Sequence, residues 1–394
     1  MSIRMDLLNV ILMCFTFYEP SFISHSVYLV IKYLIIIGLL LQYFSWAKRI
    51  KPVIIVAALY GGITVVSSIL NHMALNTIAA SLFFALQIID VFIVTKRAIH
   101  KYTLHTYLKW LFGIFLIASL LTDALMLFIG YDFSDSAEKY LIGNKFVVAY
   151  VHCLTAALAF STAGSKGLIV GGTRLQLRGT SKRAGAYVYT IYSLLICTKI
   201  TCATGVVIMA TLFLLMLLPN RAKAWIATGK MMVLAAGVAN LLMFGSYSLL
   251  TNRVVLDFVQ NVLGRSANFT GRIQIWTIIF GQIFESPIIG HGYYSDAINV
   301  LLGYGNPQNG VLKLLLDTGL LGLLFYGILV WKAFKRPESE NGSALYPIIM
   351  FFYAMLVASL VEINLTHMIV FLSMAIVASS TGCAQGIRTR GKRR

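Results

Sequence analysis

Hydrophobic runs separated by short polar links repeat along almost the whole chain of 394 residues. A helix needs roughly 20 apolar residues to cross a bilayer, and most of the runs approach that length. Helices are favoured because lipid leaves backbone polar groups no partner outside their own segment. The pattern predicts an all-α polytopic membrane protein with about twelve transmembrane helices. The predicted spans are 5–20, 26–46, 52–71, 75–95, 108–130, 145–164, 184–199, 201–218, 231–250, 310–331, 345–363 and 366–383.

One link is much longer than the others and divides the chain into three predicted parts. Residues 1–250 contain spans one to nine, residues 251–309 form a large outward-facing loop, and residues 310–394 contain the last three spans and a basic tail. Within the loop, hydrophobic residues recur at helical spacing near 254–263 and 273–284, which predicts amphipathic helices on the membrane surface. Trp276 suits the level of the lipid headgroups. Long structured loops are usually functional, so this loop is the expected catalytic part.

Composition and charge narrow the class of protein. The chain is 59% hydrophobic and only 12% charged, which excludes an ordinary soluble enzyme and a disordered chain. The net charge of +18 does not indicate nucleic acid, because most basic residues fall in alternate links, as membrane orientation requires. Both termini are therefore expected in the cytoplasm and the large loop outside, with membrane lipids as partners. The five cysteines form no CxxC or Cys/His cluster, so neither disulfides nor a cysteine-held metal is expected. No motif of the sequence predicts a cofactor.

Four residues of the large loop could carry chemistry. Arg272 is expected near a helix start, where its guanidinium could bind a diphosphate in a bidentate way, although it could equally touch lipid headgroups. Arg253 and Arg265 flank the first predicted loop helix and could share that role or anchor the loop to headgroups. A histidine side chain can accept a proton, so His291 could act as a general base. It could equally be a solvated residue of a glycine turn.

Charged residues inside apolar spans are rare and usually have a partner. Asp123 lies deep in span five, and a structural ion pair within the bundle is its favoured interpretation. Lys313 precedes Asp317 by four residues in span ten, so the two are expected to pair on one helix face. Glu362 and Lys199 lie at the outer ends of predicted spans.

Four short motifs follow one another across residues 270–322. They are Thr270-Gly271-Arg272-Ile273 with Trp276, Pro287 with Gly290 and Gly292, Asn309-Gly310 with Leu312, and Gly319-Leu320 with Gly322. In this order, and outside the membrane, they resemble the bacterial O-antigen ligase/polymerase superfamily, whose members are polytopic membrane proteins with one large outward loop. Gly143-Asn144-Lys145-Phe146 also resembles the exopolysaccharide and capsule polymerases of this group, which points to its repeat-unit polymerase branch.

The resemblance implies metal-independent glycosyl transfer from undecaprenyl diphosphate on the outer face of the cytoplasmic membrane. Arg272 would hold the diphosphate. The catalytic histidine of the family is replaced by Gln308, beside Asn309, and glutamine cannot accept a proton. Either His291 or a carboxylate then acts as the base, or Gln308 only orients the acceptor. The carboxylate alternatives are Asp257, Asp296 and Glu362.

The remaining implied ligands of the diphosphate or glycan are basic or aromatic. They are Lys199, which would correspond to a basic residue of the family, together with Arg253, Arg265, Lys313 and Trp276.

Other functions remain open at this stage. A ligase that moves finished polymer onto a final acceptor uses the same chemistry as the expected polymerase. A flippase for lipid-linked glycans also has about twelve spans, but the long outer loop argues against it. A non-catalytic membrane scaffold is a third alternative. The implied substrate is an undecaprenyl-diphosphate-linked oligosaccharide, with flippase and chain-length regulator proteins as implied partners.

Overall fold

Helices make up nearly all of the computed structural model, which describes residues 3–130, 140–163, 169–170, 173–174, 179–245, 268–295, 297–303, 306–337 and 342–380. The helices are α1 Ile3–Phe15, α2 His25–Tyr43, α3 Lys51–Leu70, α4 Leu75–Tyr102, α5 Leu104–Phe128, α6 Lys145–Ala163, α7 Gly179–Lys199, α8 Ala203–Leu217, α9 Asn220–Ile226, α10 Gly229–Gly245, α11 Asn268–Glu285, α12 Asn299–Leu302, α13 Gly310–Ala333, α14 Gly342–Ala358 and α15 Met368–Ser380. A 3-10 helix, Phe44–Ile50, follows α2, and the short strands Ile169–Val170 and Thr173–Arg174 form a hairpin before α7.

The predicted all-α membrane fold is confirmed, and every predicted span coincides with a helix. Six helices of the described residues are long and apolar enough to cross a membrane, or seven if the bent pair α8 and α9 counts as one span. Helices α10, α14 and α15 are apolar but shorter. The number of twelve transmembrane helices is therefore not confirmed. The length of an apolar run in the sequence does not determine the length of the helix that forms within it. The chain is a multi-pass membrane protein.

The centre of the bundle is formed by helices that are buried along most of their length. Most side chains of α6 and α15 are buried. Helix α14 packs against α6, α8 and α15. Helices α2, α3 and α13 surround α4 and α15 on one side, and α5, α7 and α8 surround α6 on the other. Helices α2, α5 and α10 expose many large apolar residues, as expected for surfaces that face lipid.

A buried polar cluster joins α5, α6 and α7 and explains Asp123. One Asp123 carboxylate oxygen lies 3.1 Å from His152 Nε2, and the other accepts a hydrogen bond of 2.7 Å from the Tyr192 hydroxyl. His152 Nδ1 lies 3.1 Å from the Ser193 hydroxyl. The expected partner of Asp123 inside the bundle is therefore His152. Such side-chain contacts hold helices together where lipid offers polar groups no alternative.

The second predicted loop helix is confirmed as α11, whereas the first, at 254–263, lies outside the described residues. Four residues on one face of α11 are buried: Ile275, Trp276, Ile279 and Ile283. Protein covers this face, because the same cluster contains Leu312 and Leu316 of α13.

Candidate functional site

Helix α13 is broken at Gly319, where φ is 61° and ψ is −164°. A break frees backbone N–H groups, and inside a membrane these need partners from the protein. Leu320 N–H donates to Pro287 O at 2.8 Å and Leu321 N–H donates to Ile288 O at 3.1 Å. A segment about thirty residues upstream thus completes the hydrogen bonding of the broken helix.

The same segment, residues 287–292, also donates to the first half of α13, and we call it the docked turn. His291 N–H donates to Leu316 O at 2.7 Å, and Gly292 N–H donates to Asp317 O at 3.0 Å. Four backbone hydrogen bonds therefore join the docked turn to both sides of the break. This pairing fixes the position of the turn relative to α13 without requiring any particular side chain.

Two glycines make this close approach possible. Gly290 has φ of +75° and Gly319 has φ of +61°, in the region that L side chains rarely adopt. A Cβ atom on Gly290 would lie 2.5 Å from Thr318 N, and one on Gly319 would lie 2.3 Å from the carbonyl carbon of Ile288. The Pro-x-x-Gly-x-Gly and Gly-Leu-x-Gly motifs are therefore contact partners, which the sequence did not indicate.

The end of α3 holds the docked turn from the other side. The Ser67 hydroxyl donates to Asp317 O at 2.9 Å, and the Asn71 amide donates to Gly290 O at 2.9 Å. The Ser68 hydroxyl accepts from Tyr293 N–H at 3.0 Å. Sequence reasoning missed these three polar residues, because each looks like an ordinary helix-end residue until its distant partners are known.

Helix α11 carries two of the predicted site residues. Trp276 is buried and packs edge to face against Phe244, with ring centroids 5.3 Å apart. The ring of Trp276 is therefore covered by α13 and α10, and its level relative to the lipid headgroups stays a prediction. Arg272 belongs to the first turns of α11, four residues before Trp276.

The structure describes only part of the predicted arginine set. The side chain of Arg272, and Arg253 and Arg265 entirely, lie outside the described residues. Their roles stay predictions.

His291 links the docked turn to the end of α11. Its Nε2 lies 2.7 Å from Gln282 O. A carbonyl oxygen only accepts, so Nε2 carries the proton and Nδ1 is the basic nitrogen of the neutral ring. The side chain is half-buried. This arrangement suits a general base, and it also anchors the turn.

The expected pairing of Lys313 with Asp317 is confirmed. Lys313 Nζ lies 2.7 Å from Asp317 Oδ1, and both side chains are buried. The ammonium also lies 5.1 Å from the centre of the Tyr294 ring. Asp317 already balances the charge of Lys313. A role for Lys313 in binding a diphosphate stays a prediction.

Asn309 caps the first turn of α13. Its Oδ1 accepts from Val311 N–H and Leu312 N–H, each at 2.9 Å, and its amide donates to Asn240 Oδ1 at 3.0 Å. The residue is fully buried. Asn309 therefore stabilises the start of α13 and fixes its position. The predicted catalytic role of Asn309 stays a prediction.

The neighbouring residues of this segment include a glutamine and a carboxylate. Gln308 has φ of +50° and its N–H donates to Asn306 Oδ1 at 2.7 Å. Glu362 is buried, and its Oε1 accepts from Ile363 N–H at 3.0 Å and from the Asn306 amide at 3.4 Å. The other two candidate carboxylates, Asp257 and Asp296, lie outside the described residues.

Lys199 belongs to a different part of the bundle. It is the last residue of α7, its side chain is exposed, and α7 packs mainly on α6 and α8. The structure thus brings together α11, His291, Lys313 and the Gln308-Asn309 pair around α13, but it does not place Lys199 with them.

Among the residues that the structure describes, no three His, Cys, Asp or Glu side chains form a group that could hold a metal ion.

Comparison with known proteins supports the family suggested by the motifs. Residues 186–327 match the family model described as O-antigen ligase, and all nine predicted site residues lie in that range. A protein of Rickettsia conorii named as a polysaccharide ligase is 26% identical over 106 residues, which cover 23% of this chain and 26% of the relative. The match thus spans about a quarter of that relative's length. The region matched by the family model contains α11, the docked turn and the break in α13, and its similarity supports a relationship to the O-antigen ligase/polymerase superfamily.

Proposed function

We propose that this protein is a glycosyltransferase that moves a glycan from undecaprenyl diphosphate to an acceptor hydroxyl on the outer face of the cytoplasmic membrane. The observation that carries the proposal is the docking of the two glycine motifs across the break in α13, within the matched region. That docking positions His291, and His291 in turn contacts α11, the helix that contains Arg272. A cation and a base are the two groups that this transfer requires.

The chemistry follows from the charges that develop. The acceptor oxygen forms a bond to the anomeric carbon while the bond from that carbon to the phosphate oxygen breaks, and the electron pair leaves with the diphosphate. Arg272 would stabilise the negative charge on the leaving group. Nδ1 of His291 would take the proton from the acceptor hydroxyl. Gln308 cannot take that proton, but it could orient the acceptor.

Two acceptors are compatible with this chemistry. In a polymerase the acceptor is a lipid-linked repeat unit, and in a ligase it is a final acceptor molecule. The Gly143-Asn144-Lys145-Phe146 stretch favoured the polymerase. However, Asn144 Oδ1 caps α6 by accepting from Phe146 N–H at 3.0 Å and Val147 N–H at 3.1 Å. A local structural role therefore accounts for Asn144 in this stretch. The names of the matched family and relative favour the ligase.

The deciding experiment is the size distribution of surface polysaccharide and lipid-linked glycan in cells that lack the protein. Single repeat units that accumulate outside the membrane would establish a polymerase. Full-length polymer that remains on its lipid would establish a ligase. Repeat units trapped on the cytoplasmic side would indicate a flippase and refute the proposal. A flippase and a chain-length regulator are the partners we expect in the same pathway.

A point variant tests the role of Arg272 within the same cells. Arg272→Ala should lower transfer by about 100-fold or more, the effect of removing one preorganised donor to a developing negative charge, while the protein remains in the membrane. Arg336→Ala is the matched control, because this arginine is exposed just beyond the far end of α13. Normal glycan lengths in Arg272→Ala would exclude the diphosphate role.

A further inference from the structure

A small cavity of about 70 Å³ lies where α6, α7, α8, α9 and α14 meet. Because about 10–15 Å³ of such space is enough for one water molecule, the cavity has room for a group of several atoms such as a phosphate. The residues that matter here are Arg183, Asn220, Lys223, Tyr187 and Tyr346.

This cavity is far from the candidate site. Tyr346 lies near the start of α14, whereas Ser359, just past its end, accepts a hydrogen bond from Gly310 at the start of α13. Thirteen residues at about 1.5 Å each separate the two points by roughly 20 Å. The cavity thus belongs to the opposite end of the bundle from the start of α13.

The charge of the cavity is unbalanced. Lys223 forms part of the wall and is only 6% exposed, while Arg183 is exposed at the rim. None of the described residues that line the cavity is acidic. The Lys223 ammonium donates to Met216 O at 2.7 Å, and an ammonium has three hydrogens to donate. Burial, with the nearby Arg183 guanidinium, lowers the pKa of Lys223. An anion between the two cations would remove this repulsion.

The position of α9 relates the cavity to the membrane surface. Helix α9 turns away from α8 by 119°, so it lies across the end of the bundle. Its Trp225 is 68% exposed, and tryptophan prefers the level of the lipid headgroups. The opening beside α9 is therefore at the depth where a phospholipid phosphate would be found.

We propose that this cavity binds the phosphate of an anionic phospholipid, with Lys223 and Arg183 as its charged ligands. Tyr187, Tyr346 and Asn220 add polar groups to the wall. Basic pockets between transmembrane helices recognise anionic headgroups in this way. The bound lipid would hold α9 against α7 and α14. This binding is independent of glycan transfer, so either proposal can fail without the other.

The test uses the full chain, purified in an uncharged detergent, with phosphatidylglycerol, phosphatidylcholine and inorganic phosphate as separate probes. Native mass spectrometry counts retained lipid, and the melting temperature reports stabilisation. Lys223→Met and Arg183→Gln remove the two cations. Lys335→Met and Arg336→Gln are matched controls, because both residues are exposed near the same end of the bundle but do not line the cavity.

The proposal expects phosphatidylglycerol to stabilise the unchanged protein and both controls, and to bind about tenfold more weakly to each cavity variant. Phosphatidylcholine should have little effect. Equal retention of phosphatidylglycerol by cavity variants and controls would overturn the proposal. Inorganic phosphate that stabilises the protein equally and displaces the lipid would also overturn it, in favour of a site for soluble phosphate. If Lys223→Met destabilises the folded protein by itself, Arg183→Gln still tests the proposal, because Arg183 is exposed at the rim of the cavity.

Discussion

Substitution of Gly319 by alanine tests whether the docked turn and the break in α13 form one unit. The added Cβ would lie 2.3 Å from both the carbonyl carbon and the carbonyl oxygen of Ile288, and 2.5 Å from Ile289 N. These are backbone atoms, so no side-chain rotation can relieve the contact. In addition, alanine disfavours the backbone angles of this position.

The expected loss of stability follows from the two ways the protein can respond. If the turn stays docked, the strained backbone costs about 1–3 kcal/mol and the overpacking costs about 1–3 kcal/mol more. If the turn moves away, the four backbone hydrogen bonds across the break are lost at about 1 kcal/mol each. The first response costs about 2–6 kcal/mol in total and the second about 4 kcal/mol, so we expect the free energy of unfolding to fall by about 4 kcal/mol.

Gly327→Ala is the matched control, because this glycine lies eight residues further along α13 and a Cβ there would meet nothing within 4 Å. Alanine is the better helix former by about 0.5–1 kcal/mol, so this variant should be as stable as the unchanged protein or slightly more so. Thermal melting in detergent measures both variants. Gly319→Ala should melt at least about 5 °C lower than Gly327→Ala, in line with the loss of about 3 kcal/mol or more.

The reasoning fails if the two variants melt together. It also fails if Gly319→Ala melts lower but a crosslink between the turn and α13 forms as readily as in the unchanged protein. The first result would mean that the glycine is not under constraint, and the second that the turn is not what the substitution displaces.

Three further substitutions follow from the site. His291→Gln should lower glycan transfer by about 100-fold or more, and an unchanged transfer rate would assign the base elsewhere. Asn309→Ala should destabilise the protein by about 1–2 kcal/mol through loss of the cap, and Asn309→Asp should not restore that stability, because it replaces the amide that donates to Asn240 Oδ1 with a buried carboxylate. Lys313→Met should cost about 3–5 kcal/mol because it leaves the Asp317 carboxylate buried alone. The double variant with Asp317→Leu should recover most of that loss, and a failure to recover would show that the pair is not an isolated unit.

Local features of the structure could be predicted from the sequence. Apolar runs predicted where the helices lie, because lipid imposes helices on such runs, but they did not predict which helices are long enough to span the membrane. The four-residue spacing gave the contact between Lys313 and Asp317. The helical spacing of the hydrophobic residues in α11 predicted which residues of this helix share one apolar face.

Long-range contacts could not be predicted in the same way. The pattern of α11 does not say whether lipid or protein covers its apolar face, so the contact of Trp276 with α10 and α13 could not be predicted. Nothing near Gly319 indicates that a turn thirty residues upstream will complete its hydrogen bonding. The contact of Ser67 with Asp317 O joins residues 250 positions apart. Tertiary packing alone selects such pairs.

The break in α13 also constrains the order in which the chain can assemble during synthesis. The ribosome makes α3 first, then residues 287–292, and α13 last. Until α13 arrives, Pro287 O and Ile288 O can hydrogen-bond to water. Leu320 and Leu321 cannot enter lipid with bare N–H groups without a cost of several kcal/mol. Insertion of the second half of α13 is therefore coupled to capture of the docked turn, which the ribosome has already made. A chain whose docked turn was not in reach would stall at this helix.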